Sequence, residues 1–274
     1  MKNEKLKRFF ADGYLILVLA LLYLPILLII VFSFSGTSNF RFTDGFTLSS
    51  YKSLWDELAT PGSALLDAIK NTLILALSAS AISTVLGAVS TIGIYCLKSR
   101  WKKITLTVNQ LPMINSEIVM AVSLMMFFAL FSRVFPQGMP RLIISHVAFC
   151  TPYVVLSVLP RLQKMDPNMY EAALDLGANP FVAMIKVVFP YIMPGIISGF
   201  AMAFTLSLDD FIITQFNKGD TRLETLSTYI YEDARVKSLE PYWFAVFSVF
   251  FVLMLTLLLV INVTKAGKKE EAKR

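Results

Sequence analysis

The chain has 274 residues, 56% of them hydrophobic and only 16% charged, an apolar load that a soluble domain of this length rarely carries. A net charge of +6 would suggest nucleic acid as the partner of a soluble protein. Here the basic residues cluster between apolar runs, which reads as membrane orientation, and no nucleic-acid partner is expected. Cys96 and Cys150 lie inside apolar runs and offer neither a disulfide framework nor metal-ligand spacing, and His146 is the single histidine, which argues against a His-based metal site or catalytic triad.

Lys2, Lys5, Lys7 and Arg8 precede an apolar run from Tyr14 to Phe34. That run is longer than a signal-peptide core and no A-x-A site follows it, so an uncleaved first membrane helix is expected. A helix needs about 20 apolar residues to cross the hydrocarbon core. The spans that satisfy this are 14–34, 72–97, 104–131, 142–159, 190–214 and 242–263. The fourth is the weakest, being short and holding Ser145, His146, Thr151 and Pro152.

Orientation supports counting it. With six spans, Lys98, Arg100, Lys102, Lys103 and the C-terminal Lys265, Lys268, Lys269, Lys273 and Arg274 share a side with the N-terminal cluster. The opposite side has fewer basic residues spread over longer loops, so both termini are expected in the cytoplasm. The reading is an all-α integral membrane protein, one transmembrane domain over 1–274. Ala76, Ser80, Thr84 and Ala88 in the second span, with Gly87 and Thr91 beside them, and Gly195, Gly199 and Ala203 in the fifth place small residues at helical spacing. Such stripes let helices approach closely in lipid and indicate a packed bundle.

Between spans four and five, residues 165–188 are too polar to span a membrane and too regular for a linker. Asp166 before Pro167 is an N-cap with proline at the first helical position. Gly177 is a natural helix stop, and Asn179-Pro180 opens a second short helix. A helix–turn–helix on the cytoplasmic side is predicted. An amphipathic pair lying on lipid would be more basic than Arg161, Lys164 and Lys186 against Asp166, Glu171 and Asp175 allow.

Glu171-Ala172-Ala173, Gly177, and then Val187-x-Phe189-Pro190 resemble the E-A-A-x3-G-x9-I-x-L-P motif of ABC-importer permeases, departing by Val for Ile and Phe for Leu. The resemblance implies a type I importer-like fold. It also implies that this loop is a coupling helix pair docking on a cytoplasmic ATPase, with Glu171 and Gly177 shaping the turn and Ala172 and Ala173 permitting close contact. The chain has no G-x4-G-K-[ST] phosphate loop, so no nucleotide or other cofactor is expected on it; ATP and Mg would belong to the partner.

Acidic residues inside apolar spans are costly and are functional candidates by default. They are Glu117 in the third span and Asp209 and Asp210 in the fifth. Asp209 lies roughly 28 Å along its helix and Glu117 roughly 20 Å from the inner end of its own, both toward the outside. Two carboxylate positions at comparable depth suit a cationic substrate; alternatively, Asp209 and Asp210 cap a helix end. No Lys or Arg within the six spans is available to pair with them.

Leu111-Pro-Met-Ile-Asn-Ser-Glu117, Ser145-His-Val-Ala-Phe-Cys150-Thr-Pro-Tyr153 and Phe204-Thr-Leu-Ser-Leu-Asp-Asp210-Phe211 resemble the second permease subunit of spermidine/putrescine importers. That resemblance implies an ATPase subunit dimer, a second homologous permease, an extracytoplasmic polyamine-binding protein and a bacterial inner membrane. Polyamine ammonium groups call for carboxylates and aromatic faces, and Tyr153, Phe211 and Trp243 are the aromatic candidates. His146 and Cys150 are read as packing or hydrogen-bonding features. The competing readings are a permease for another small cation or an amino-acid-like solute, and an ion-coupled secondary transporter using Glu117 and Asp209 as a relay. An intramembrane enzyme lacks any nucleophile–base constellation.

Overall fold

The computed structural model describes residues 2–37, 45–236, 240–253 and 255–256. Every regular element among them is helical. The chain divides into two compact units, one of residues 64–229 and one formed by 1–63 together with 230–274.

In the unit of 64–229, α3 (Ala64–Cys96), α6 (Met139–Gln163) and α9 (Phe189–Leu208) pack on one another as a three-helix core. Long apolar runs make the helices, because in hydrocarbon a helix satisfies every backbone group internally. The small-residue stripes set how closely the helices approach. Ala76, Ser80, Thr84, Gly87, Ala88 and Thr91 of α3 are all buried, as are Gly195, Gly199 and Ala203 of α9. A Cβ on Gly87 would lie 2.6 Å from the Val154 side chain of α6, one on Gly199 would lie 3.0 Å from the same valine, and one on Gly195 would lie 3.2 Å from Val158 Cα. Several buried hydroxyls bond to their own helices, as Thr84 does to the Ser80 carbonyl (2.6 Å). Ser157 instead crosses to the Gly195 carbonyl (3.0 Å) and ties α6 to α9.

The expected second span begins earlier, at Ala64. The fourth, the weakest by composition, runs over 25 residues, with half of its most apolar window buried (50%). The expected third span is not one straight helix. α4 (Ser99–Ile114) and α5 (Glu117–Leu130) meet at 105°. Pro112 removes a helical N–H in the last turn of α4, and Asn115 and Ser116 are extended (ψ 151° and 140°) before the helix restarts.

The fifth expected span also differs. α7 (Pro167–Asp175) and α8 (Pro180–Ala183) lead through a π-helical turn, Met184–Val188, directly into α9. The wide turn closes with Phe189 N–H on the Met184 carbonyl. It ends just before Pro190, whose ring would meet the Lys186 carbonyl in an uninterrupted α-helix. At its other end α9 stops at Leu208, and a short helix, α10 (Ile212–Asn217), follows and packs against α5 and α6.

In the other unit, α1 (Lys2–Phe32) has no buried residue within its Gly13–Phe32 apolar segment. α2 (Ser49–Ala59) is tied to its end by Tyr51, whose hydroxyl lies 2.8 Å from Ser33 Oγ. The sixth expected span is helical over Tyr242–Leu253, here α12, and its part from 257 onward lies outside the described residues. Between α10 and α12 runs α11 (Leu226–Val236). Trp243 of α12 is fully buried and donates Nε1–H to Asp233 (2.6 Å), which makes it a packing residue rather than an exposed aromatic face.

Candidate functional site

Two places carry chemistry-bearing residues. The first is the loop of α7 and α8. Asp166 accepts the Asn168 N–H (3.0 Å) and Asn179 accepts the Val182 N–H (2.8 Å), with Pro167 and Pro180 at the first helical positions. These side chains satisfy backbone donors that a helix start leaves orphaned. Gly177 sits at φ +87°. Its N–H bonds to the Leu174 carbonyl (2.9 Å) and that of Ala178 to the Ala173 carbonyl (3.1 Å). That pair of bonds is a Schellman stop, which requires a left-handed residue. The turn is not crowded, since a Cβ on Gly177 would meet nothing within 4 Å. Glycine answers to the backbone angle there, not to lack of space.

Glu171 and Ala172 are exposed and Ala173 is half-buried. Beyond them the tip presents apolar surface, with Leu176 at 89% and Phe181 at 73% exposure, whereas Met165 at the root is buried in the core.

The second place comprises the two helix breaks. Glu117 is the first residue of α5 and is exposed. Asn109 of α4 donates to the Pro152 carbonyl of α6 (3.4 Å), which ties α4 to α6 one residue before Tyr153. Tyr153 is half-buried, edge-on to Phe149 (5.6 Å between centroids), and within electrostatic reach of Glu117.

At the other break the two adjacent aspartates part company. Asp209 caps the C-terminus of α9 and is exposed. Asp210 turns inward at 8% exposure. Its Oδ1 accepts the Ile213 N–H (3.2 Å), and its Oδ2 accepts both the Thr214 N–H (2.9 Å) and the Thr214 hydroxyl (2.9 Å). Phe211 follows, half-buried, at the start of α10.

His146, read from the sequence as a packing or hydrogen-bonding feature, joins this break. Nδ1 lies 2.7 Å from Ser207 Oγ and Nε2 3.0 Å from Thr214 Oγ1, with the Asp210 carboxylate 3.5 Å away. The one sequence signal for it was a lone imidazole in an apolar helix of a chain whose other spans hold unpaired acids. Cys150, one turn on, is buried and donates its thiol to the Ala203 carbonyl (3.5 Å). Since α6 begins at Met139, Arg141 also falls within an apolar helix, buried against the Phe128 ring (5.0 Å). The expectation that the spans hold no Arg therefore depended on starting that span at 142. Among the described residues no group of three His, Cys, Asp or Glu could hold a metal.

Residues 83–266 match the family described as binding-protein-dependent transport system inner membrane component, and the E-A-A…G run lies inside the match. The chain is 33% identical over 229 residues to the spermidine/putrescine transport system permease protein PotC of Escherichia coli (strain K12), covering 84% of each chain. It is 30% identical over 210 residues to the putrescine transport system permease protein PotI of the same strain, covering 75% of this chain and 73% of the relative. Its fold matches a chain of a bacterial ABC transporter involved in the import of the acidic polysaccharide alginate, with a TM-score of 0.68 at 17% identity over 98% of this chain and 96% of that one. A crystal structure of the alginate transporter with an alginate pentasaccharide-bound periplasmic protein gives 0.60 at 18% identity, over 94% of each chain. This chain belongs to the binding-protein-dependent inner membrane components, the multi-pass permease subunits of ABC importers.

Proposed function

We propose that this chain is one of two homologous permease subunits of an importer that carries polyamines into the cell, powered by an ATPase dimer and loaded by an extracytoplasmic polyamine-binding protein. ATP and Mg bind the ATPase. The chain crosses the membrane six times with both termini in the cytoplasm, and the α7–α8 loop docks on the ATPase from that side. The mechanism is alternating access without covalent chemistry on this chain.

The observation that carries the substrate reading is an exposed carboxylate at each of two helix breaks, Glu117 and Asp209, in a chain 33% identical to PotC. Carboxylates in a membrane-spanning segment are expensive and are retained where a cation compensates them. A polyamine offers several ammonium groups on an apolar stem, for which Glu117 and Asp209 supply charge, and Tyr153 and Phe211 supply ring faces. Asp210, grouped with them from sequence, stands behind this pair.

Exposed Leu176 and Phe181 support the docking role of the loop. Apolar side chains at a rigid, capped turn gain most from burial in a partner groove. The test is uptake of labelled spermidine by the assembled transporter in cells. Uptake that needs an intact ATPase and survives an uncoupler supports the proposal; uptake that ends with the uncoupler alone points to ion coupling through Glu117 and Asp209.

A further inference from the structure

We infer that His146 and Asp210 are positioning residues, which lock the α9–α10 break against α6 so that Asp209 alone at this break offers its carboxylate to substrate. This deepens the polyamine reading and rests on it.

With a neutral imidazole the hydrogen bonds have one self-consistent direction. The Thr214 hydroxyl donates to Asp210 Oδ2, so its oxygen is left to accept, and His146 Nε2–H is the donor at 3.0 Å. Nδ1 of the neutral ring then accepts from the Ser207 hydroxyl at 2.7 Å. The chain Ser207, His146, Thr214, Asp210 thus runs from the last turn of α9 through α6 to the first turns of α10, ending on a carboxylate that accepts every donor aimed at it.

From the other side the Ser227 hydroxyl donates to the Asp210 backbone carbonyl (2.6 Å). The His146 and Asp210 side chains are 0% and 2% exposed. The Asp210 carboxylate is buried with both oxygens engaged in the α10 cap, so an ammonium could reach it only by opening that cap. Asp209, one residue earlier, is exposed. The fixed break decides which of the two adjacent acids points outward, and His146 hydrogen-bonds α6 to both sides of it.

The placement can be read without substrate. In the assembled transporter carrying Cys96→Ser, with buried Cys150 as the blank, Asp209→Cys should react with a charged methanethiosulfonate at least about tenfold faster than Asp210→Cys, and His146→Leu should erase that difference. Equal labelling of the two positions with His146 intact would overturn the inference.

The kinetic arm keeps it falsifiable if Asp210→Cys fails to assemble. His146→Leu should raise the polyamine KM by about tenfold when Asp209 is present and leave it unchanged on top of Asp209→Asn. His146→Gln, whose amide can accept from Ser207 and donate to Thr214, should restore KM to within about threefold of wild type. Effects of His146→Leu and Asp209→Asn that multiply independently would overturn the positioning role. Absence of polyamine uptake by the assembled wild type would defeat the substrate reading instead, leaving the labelling result to judge the placement.

Discussion

Gly87 of α3 faces Val154 of α6 so closely that a Cβ at the glycine would lie 2.6 Å from the valine side chain. Two buried helices cannot absorb such an overlap without moving apart, and overpacking of this kind costs about 1–3 kcal/mol. Gly87→Ala should therefore lower the thermal midpoint of the detergent-solubilised transporter and its yield. Gly93→Ala, six residues along the same helix with nothing within 4 Å, should leave both unchanged or slightly raised, because alanine is the better helix former.

The caps of the α7–α8 loop make a second prediction. Asp166→Ala and Asn179→Ala each remove one side-chain acceptor from a helix start and should cost about 1 kcal/mol of local helix stability. Hydrogen exchange should speed up within 166–183 and nowhere in α3 or α6, and ATP-dependent uptake should fall as the loop frays. Unchanged exchange in both variants would show that the caps do not hold the loop.

At Gly177 the open surroundings alter what a substitution tests. The sequence reading expects Gly177→Asp to abolish transport while leaving the chain inserted, because a bulky charge cannot occupy that turn. The structure leaves room for a side chain, and the penalty inside this chain is the left-handed backbone, about 1–2 kcal/mol for a non-glycine residue. Gly177→Asp should therefore insert and assemble at normal levels, and loss of uptake in it would locate the clash on the docked ATPase. Failure to insert would mean that the turn matters for folding instead.

Leu176 and Phe181 should behave as contact anchors. Truncating buried apolar anchors at an interface typically weakens association by at least about tenfold. Leu176→Ala and Phe181→Ala should reduce co-purification of the ATPase in detergent while the permease remains in the membrane. Retention of the full ATPase complement by the double variant would remove these residues from the interface.

Local rules made the loop legible in the sequence. Asp166-Pro167, Gly177 and Asn179-Pro180 each act within four residues, and the structure shows the bonds those rules describe. The buried stripes on α3 and α9 were equally readable, because small residues at helical spacing have one common use in lipid. The breaks were not. Pro112 marks a weak point, but the 105° turn depends on what α5 and α10 pack against, and no window of sequence contains that. The partners of His146 were unreadable for the same reason, lying 61 and 68 residues away. Pairing Asp209 with Asp210 as equals was the natural reading of adjacent acids; only the chain's exit from α9 shows one outside and the other inside.

The most direct test of the polyamine path compares labelled spermidine uptake by wild type and by Glu117→Gln/Asp209→Asn, each expressed with its ATPase, second permease and binding protein at equal membrane levels. The account predicts ATP-dependent uptake by wild type and a loss of at least about tenfold in the variant, since two intramembrane charges facing the substrate are gone. Undiminished uptake by the variant would contradict it.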